Sequence, residues 1–388
     1  MDFTKVGEYL DSLIRDGQPM AQIVVTKDHE TVYVHNAGWA DYEKTVPLND
    51  RHLSYIQSNT KVYTATCAMR LVEDGELELN APVAKYLPDY AEMRVLKDGE
   101  PVPAENTLLV RHLLTMTSGY SLDRSTYPHY LEAVKNPAVT TREIASAFAK
   151  EPLLFEPGTD FRYGVGLDIL GAVIEAASGE RFGDYMRRIL LDPLGIRDTG
   201  FHPTEEQRSR LMAQYKFNLE TGVYDRFETP RDVTPNFDRG GGGLCSSSVE
   251  YCKLLTALAC GGVSKDGYRV LKPETIALMT TNQLTGKAWD TYHLKKGRPC
   301  RAGYGYGFGV RTHMDPAASG YKTSVGEFGW SGMAGAFAIM DPGRRLAICY
   351  GEHIRNHTRR PGDPKSHDVS TEIRPALVNL ICDAVDKG

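Results

Sequence analysis

Ala336-Phe337-Ala338-Ile339-Met340-Asp341-Pro342-Gly343-Arg344-Arg345-Leu346-Ala347-Ile348-Cys349-Tyr350 reads as two short apolar strands with a turn between them. Proline fixes φ where a turn needs it and glycine tolerates positive φ, so Asp341-Pro342-Gly343 supplies a hairpin with a mechanism. A hairpin joins antiparallel strands, whereas a parallel pair needs a crossover of a dozen or more residues. The same grammar opens the chain. Ala21-Gln22-Ile23-Val24-Val25-Thr26-Lys27 and Thr31-Val32-Tyr33-Val34-His35 are β-rich runs on either side of Asp28-His29-Glu30, a length suited to a second hairpin. Gly307-Phe308-Gly309-Val310 adds another short apolar run. Strands joined by short turns predict an antiparallel sheet in an α+β fold rather than a series of βαβ units.

Between these ends the chain reads as helical. Val62, Ala65, Met69 and Val72 line one face of a helix that follows Ser58 and is closed by Gly75. Thr140 and Glu143 fit a capping box ahead of Ile144, Ala147 and Phe148. Ile169, Leu170, Val173, Ile174 and Ala177 share a face of another helix that ends at Gly179, and a helix with Leu254, Leu255 and Leu258 follows the run Gly240-Gly241-Gly242-Gly243. Helices with Leu10, Leu13 and Ile14, and with Ile373, Leu377, Leu380 and Ile381, begin and end the chain. At 388 residues the chain exceeds what one core usually serves. The expected layout is a sheet lobe from residues 1–55 and 240–388 and a mainly helical lobe from residues 56–239, with a cleft between them.

Composition removes several function classes. A net charge of −5 offers no field for nucleic acid, and no apolar run approaches the roughly 18 residues of a membrane span. Residues 355–365 are locally basic but include Pro361, Gly362 and Asp363, which reads as a solvated loop. The first residues carry charges and lack the apolar stretch of a signal peptide. Seven scattered cysteines, with no C-x-x-C pair, suit reduced thiols used as small apolar filler, so a cytoplasmic location is expected. The one helical-spaced histidine pair, His353 and His357, lacks the following glutamate and any nearby thiolate, so no metal and no organic cofactor is expected.

Three stretches could carry chemistry. In Ser58-Asn59-Thr60-Lys61 the amine falls one helical turn after the hydroxyl, within reach to take its proton. Tyr163 lies between the Pro157-Gly158 turn and a helix, where a phenol can project into a cleft. Gly329-Trp330-Ser331-Gly332-Met333-Ala334-Gly335 is a strand whose glycines let a ligand approach and whose edge could offer an N–H to an oxyanion. Taken singly, each also has an ordinary structural reading: an N-cap serine beside a surface lysine, a packed tyrosine, a glycine-rich bulge.

Together they resemble the serine β-lactamase-like superfamily, which includes class C β-lactamases, penicillin-binding DD-peptidases, D-amino-acid amidases and family VIII carboxylesterases. The resemblance covers residues 21–350 and includes Val110-Arg111-His112-Leu113-Leu114-Thr115-Met116-Thr117-Ser118-Gly119, Pro157-Gly158-Thr159 ahead of Tyr163, and Gly241-Gly242-Gly243-Leu244. It implies a β-lactamase/transpeptidase-like fold, with the antiparallel sheet flanked by helices. It further implies Ser58 as nucleophile, Lys61 as its base, Tyr163 as proton shuttle to the leaving group, and the backbone N–H groups of Ser58 and Met333 as oxyanion hole. Trp330, Ser331 and Gly332 stand where β-lactamases carry Lys-Thr-Gly and would line the substrate.

Two departures point within the family. Tyr-x-Asn reads Tyr163-Gly164-Val165 here, and a valine side chain cannot hydrogen-bond a substrate amide. Trp330 replaces a lysine that serves the substrate carboxylate, and an indole suits an apolar group instead. A tryptophan in this motif is similar to that of family VIII carboxylesterases and of related acyltransferases, and both changes point to a small-molecule ester as substrate rather than a β-lactam. The alternatives on the same machinery are a D-amino-acid amidase or peptidase, a β-lactamase and an acyltransferase. A ligand sensor that only keeps the fold is the non-enzymatic alternative.

Overall fold

The alternation of side chains along three strands decides how this molecule is layered. The computed structural model describes residues 1–228, 234–294, 301–355 and 367–387. The elements that position the site are, in chain order, α1 (Thr4–Arg15), β1 (Met20–Lys27), β2 (Glu30–Gly38), α2 (Thr60–Glu73), α3 (Gly166–Ser178), α4 (Ser248–Ala259), β3 (Tyr304–Tyr306), β4 (Arg311–His313), β5 (Phe328–Ser331), β6 (Phe337–Asp341), β7 (Leu346–Gly351) and α5 (Arg374–Asp386). The strands form one sheet of seven in the order β2-β1-β7-β6-β5-β4-β3, and every pairing in it is antiparallel. The fold is α+β, as the hairpins in the sequence predict.

Successive side chains on a strand face opposite ways. Ile23, Val25, Ile339, Ile348 and Tyr350 therefore point to one face, where Leu10 and Leu13 of α1 and Leu377 and Ile381 of α5 cover them. Val24, Ala338, Met340, Ala347 and Cys349 point to the other and join a core with α2, α3 and α4. Residues buried on both faces explain why β1, β6 and β7 read as continuous apolar runs rather than alternating ones. The smaller side chains, Ala338, Ala347 and Cys349, lie on the α4 side and let that helix seat closely.

The turns hold one correction. Asp28 and His29, both at positive φ, close the first hairpin as a two-residue loop. In the second, Asp341 pairs with Leu346 across a four-residue loop in which Arg344 N donates to Asp341 O at 3.2 Å. The residue at positive φ there is Arg345, not Gly343. Gly343 is needed for space: a Cβ on it would lie 2.5 Å from Ser324 Oγ.

The Thr140–Glu143 capping box forms, with Glu143 N donating to Thr140 Oγ1 at 3.2 Å and Thr140 N to Glu143 Oε2 at 2.8 Å. The helix after Ser58 ends as expected around Gly75, whose φ of 79° allows Gly75 N to reach Val72 O and Glu76 N to reach Leu71 O. Residues 356–366, most of the segment read as a basic loop and including His357, lie outside the described residues. Among the described residues no helix is long and apolar enough to cross a membrane, and no group of three or more His, Cys, Asp or Glu could hold a metal ion.

Candidate active site

Ser58 sits just ahead of the helix proper. Gln57, Ser58 and Asn59 form a 3₁₀ turn, and the α-helix proper begins at Thr60. The hydroxyl is thus carried on the tight lead-in to α2, with the helix running away behind it. Gln57 has φ of 49°, in the left-handed region that favours glycine. Strain of this kind persists only where the surroundings impose it.

A short ladder imposes it. Ser54 pairs with Ser246 and Tyr55 with Cys245, and Ile56 N donates to Leu244 O at 3.1 Å. This draws the Gly240–Gly243 run against the start of α2. A Cβ on Gly240 would lie 2.3 Å from Leu167 O, and one on Gly241 2.6 Å from Asp168 Oδ1. Only glycine lets this backbone reach the base of the cleft.

Lys61 occupies that base, 1% exposed. Its Nζ donates to Gly241 O and lies 3.3 Å from Ser58 Oγ. It also stands 4.9 Å from the centre of the Tyr163 ring. Asp168, in the first turn of α3, is buried beneath this group. Its Oδ1 accepts from Gly241 N at 2.7 Å, and its Oδ2 accepts from Arg124 Nη2 at 2.5 Å. Burial alone would raise the Asp168 carboxyl, but Arg124, Arg239 and Lys61 outweigh it and hold the group below the ordinary carboxylate range. Asp168 stays ionised and fixes the peptide whose carbonyl fixes Lys61.

Tyr163 is half-buried, and its phenol oxygen accepts from Trp330 Nε1 at 3.2 Å with the two rings stacked 5.6 Å apart. Tyr306 meets the Trp330 indole edge-on at 5.2 Å. Trp330 is therefore held from two sides over the cleft. On β5, Phe328 and Gly329 are paired with both neighbours, whereas Trp330 and Ser331 are paired only with β6. The end of the strand is an open edge facing the 3₁₀ turn, and a Cβ on Gly332 would lie 2.5 Å from Ile56 O. Met333, the next residue, lines a small cavity together with Gln57, the neighbour of Ser58. Met333 N makes no hydrogen bond among the described residues.

The structure thus joins Ser58, Lys61, Tyr163 and Trp330 in one chain of contacts, with Gly332 against the turn that carries Ser58 and Met333 next to it in the chain. Ser331 is the exception in part: its Oγ accepts from Arg374 Nη1 at 3.2 Å, on the α5 side of the sheet, so its hydroxyl turns from the Trp330 side. Val165, 0% exposed, belongs to the core and presents nothing polar to the cleft. Burial pushes the Cys67 and Cys252 thiols well above their usual range, which leaves neither as a competing nucleophile.

Sequence reasoning missed Asp168, the Gly241 carbonyl and His353. A lone carboxylate in an otherwise apolar helix start was the available signal for the first, and four consecutive glycines for the second. His353 is buried, its Nδ1 3.0 Å from Met212 O, and burial lowers its pKa to about 4. Unfolded, it would titrate near 6.5. Between those values the unfolded chain binds a proton that the folded one does not, so stability falls as pH drops from about 6.5 towards 4 and is insensitive to this group above that window. Urea unfolding at pH 7 and pH 4.5 should show a loss of about 2–3 kcal/mol from this residue, absent in His353→Phe. Equal pH dependence in the two proteins would contradict it.

The Beta-lactamase family model matches residues 8–361. Protein Rv1367c of Mycobacterium tuberculosis is 29% identical over 341 residues, spanning 85% of this chain and 84% of that protein. Esterase EstB of Burkholderia gladioli is 28% identical over 363 residues, spanning 87% of each. Among solved structures, EstCE1, described as a hydrolase with promiscuous acyltransferase activity, superposes with a TM-score of 0.78 at 23% identity, covering 99% of this chain and 98% of that one. At that identity the likeness speaks to the fold.

Proposed function

The chain belongs to the Beta-lactamase family and is an enzyme of the serine-hydrolase kind, and from that premise we propose that it cleaves small carboxylic esters through an acyl-enzyme on Ser58. The observation that carries the reading is the buried Lys61 amine 3.3 Å from Ser58 Oγ, with the Tyr163 ring against it. A serine hydroxyl becomes a nucleophile when a neighbouring group takes its proton as it attacks. Lys61, tethered to Gly241 O, is in place to do so. Tyr163 then delivers a proton to the departing alcohol and regains one from Lys61, which returns to the neutral amine, while the N–H groups of Ser58 and Met333 stabilise the tetrahedral oxyanion. Water completes the cycle by hydrolysing the acyl-enzyme, and the balance is one ester and one water to one acid and one alcohol.

Two features favour esters over β-lactams and peptides. The indole of Trp330 stands in place of a cation that would serve a substrate carboxylate, and its N–H is already engaged by Tyr163. Val165, in the core, offers no amide-binding group where the β-lactamase motif has asparagine. Esterase EstB, by its name, fits the same choice.

The test is parallel turnover of p-nitrophenyl esters of two to twelve carbons, D-amino-acid p-nitroanilides and a chromogenic cephalosporin. Hydrolysis of the short-chain esters is expected to lead by at least about tenfold in kcat/KM, because only an apolar, uncharged acyl group matches the Trp330 wall. Faster turnover of the anilides or the cephalosporin would reverse the assignment. Adding a primary alcohol and analysing products separates transfer from hydrolysis: a hydrolase keeps free acid as the main product.

A further inference from the structure

A small cavity lies against Met333 and Gln57, the residue that precedes the nucleophile. Gln57, Gln214, Phe227, Met333, His353 and Arg355 form its wall, and its volume is about 10 Å³. That is the room one water or one hydroxyl needs, and too little for a methyl-branched chain.

Two independent features make the wall unusual. His353 is 2% exposed, and its Nδ1 faces the carbonyl of Met212 at 3.0 Å. A carbonyl only accepts, so Nδ1 carries the proton and Nε2 holds a bare lone pair. Nε2 is buried and has no partner among the described residues. A buried acceptor left unmatched is costly, so such a nitrogen calls for a donor. Burial keeps the ring neutral, with a pKa of about 4, so the lone pair persists at ordinary pH. The second feature is Gln57. It adjoins Ser58 and holds a φ of 49° that glycine would adopt without strain. Its side chain, which is what glycine would lack, is part of the same wall.

Resting on the esterase reading above, we infer that this cavity is a hydroxyl-recognition subsite, in which His353 Nε2 accepts a hydrogen bond from a substrate hydroxyl and Gln57 flanks it. The substrate class is then an ester with a free hydroxyl a few bonds from the scissile carbonyl. The hydroxyl belongs either to the acyl part, as in a 3-hydroxyacyl ester, or to the alcohol part, as in a glycerol ester. A polar site of this kind discriminates because the analogue without the hydroxyl leaves the buried nitrogen unmatched.

The experiment compares kcat/KM for p-nitrophenyl 3-hydroxybutyrate against p-nitrophenyl butyrate, and for 1-monobutyrin against propyl butyrate. One of the two pairs should favour the hydroxylated ester by about ten- to a hundredfold, and which pair does so identifies the source of the hydroxyl. His353→Phe and Gln57→Gly should each reduce that preference to within about threefold while the plain ester is still turned over. Gln57→Gly removes strain and should raise the unfolding midpoint, so its loss of preference cannot be blamed on misfolding. Equal turnover within both pairs in the native protein overturns the subsite and leaves the esterase reading standing. A preference that survives in both variants overturns it as well. No turnover of any of the four esters overturns both.

Discussion

Ser58→Ala is expected to reduce ester turnover by at least about a thousandfold, by analogy with nucleophile removal in serine proteases. The substitution deletes one oxygen. Ser58 is half-buried in a 3₁₀ turn whose backbone is held by the Ile56–Leu244 hydrogen bond, so alanine is accommodated with a change of about 0.5 kcal/mol or less. The loss is therefore chemical rather than structural. What survives is the contribution of the oxyanion N–H groups and of substrate positioning, with water as a poorer nucleophile. Mass spectrometry of the native protein with an aryl phosphonate should show a single adduct on Ser58 and none on the variant. The same pair of measurements addresses a sensor that merely keeps the fold: such a protein would show neither turnover nor adduct. Turnover in Ser58→Ala within about tenfold of the native rate would end the acyl-enzyme mechanism.

The parts of this molecule that were legible in the sequence are those fixed by local chemistry. The hairpins at residues 28–29 and 342–345 follow from turn residues between apolar runs, and Gly75 marks the end of α2 because the chain needs a positive φ there. The Thr140–Glu143 capping box forms as read, because both partners lie within one helical turn. The site residues separated by long stretches, Ser58, Tyr163 and Trp330, were found by likeness to a family; periodicity alone left each with a bland alternative. What stayed hidden depends on contacts across the chain. Nothing local to Asp168 says that its carboxylate will meet Gly241 and Arg124, and nothing local to His353 says that one ring nitrogen will be buried without a donor. The error at Gly343 has the same origin. Its glycine serves a close approach to Ser324, which is 19 residues earlier in the chain, and the turn's positive φ passes to Arg345.

Asp168 carries the second large prediction, because it links stability and catalysis through one carboxylate. Asp168→Ala removes the acceptor of Gly241 N–H and the buried partner of Arg124, and breaking a buried ion pair from one side costs about 3–5 kcal/mol. The same change frees the Gly241 peptide to rotate, and with it the carbonyl that holds Lys61. A displaced amine no longer takes the Ser58 proton efficiently, so kcat should fall by about a hundredfold with KM changed little, as for a loss confined to the transition state. Asp168→Asn keeps an oxygen for Gly241 N–H and should recover about tenfold of that activity while remaining less stable than the native protein, since Arg124 still lacks its carboxylate. Arg124→Gln completes the separation: it breaks the ion pair but spares the Asp168–Gly241 hydrogen bond. It should lose stability, measured by urea unfolding, yet hold kcat within about fivefold of the native value. If Asp168→Ala and Arg124→Gln lose kcat in parallel, the carboxylate acts only through the stability of the fold. If only the first does, it positions the amine that activates Ser58.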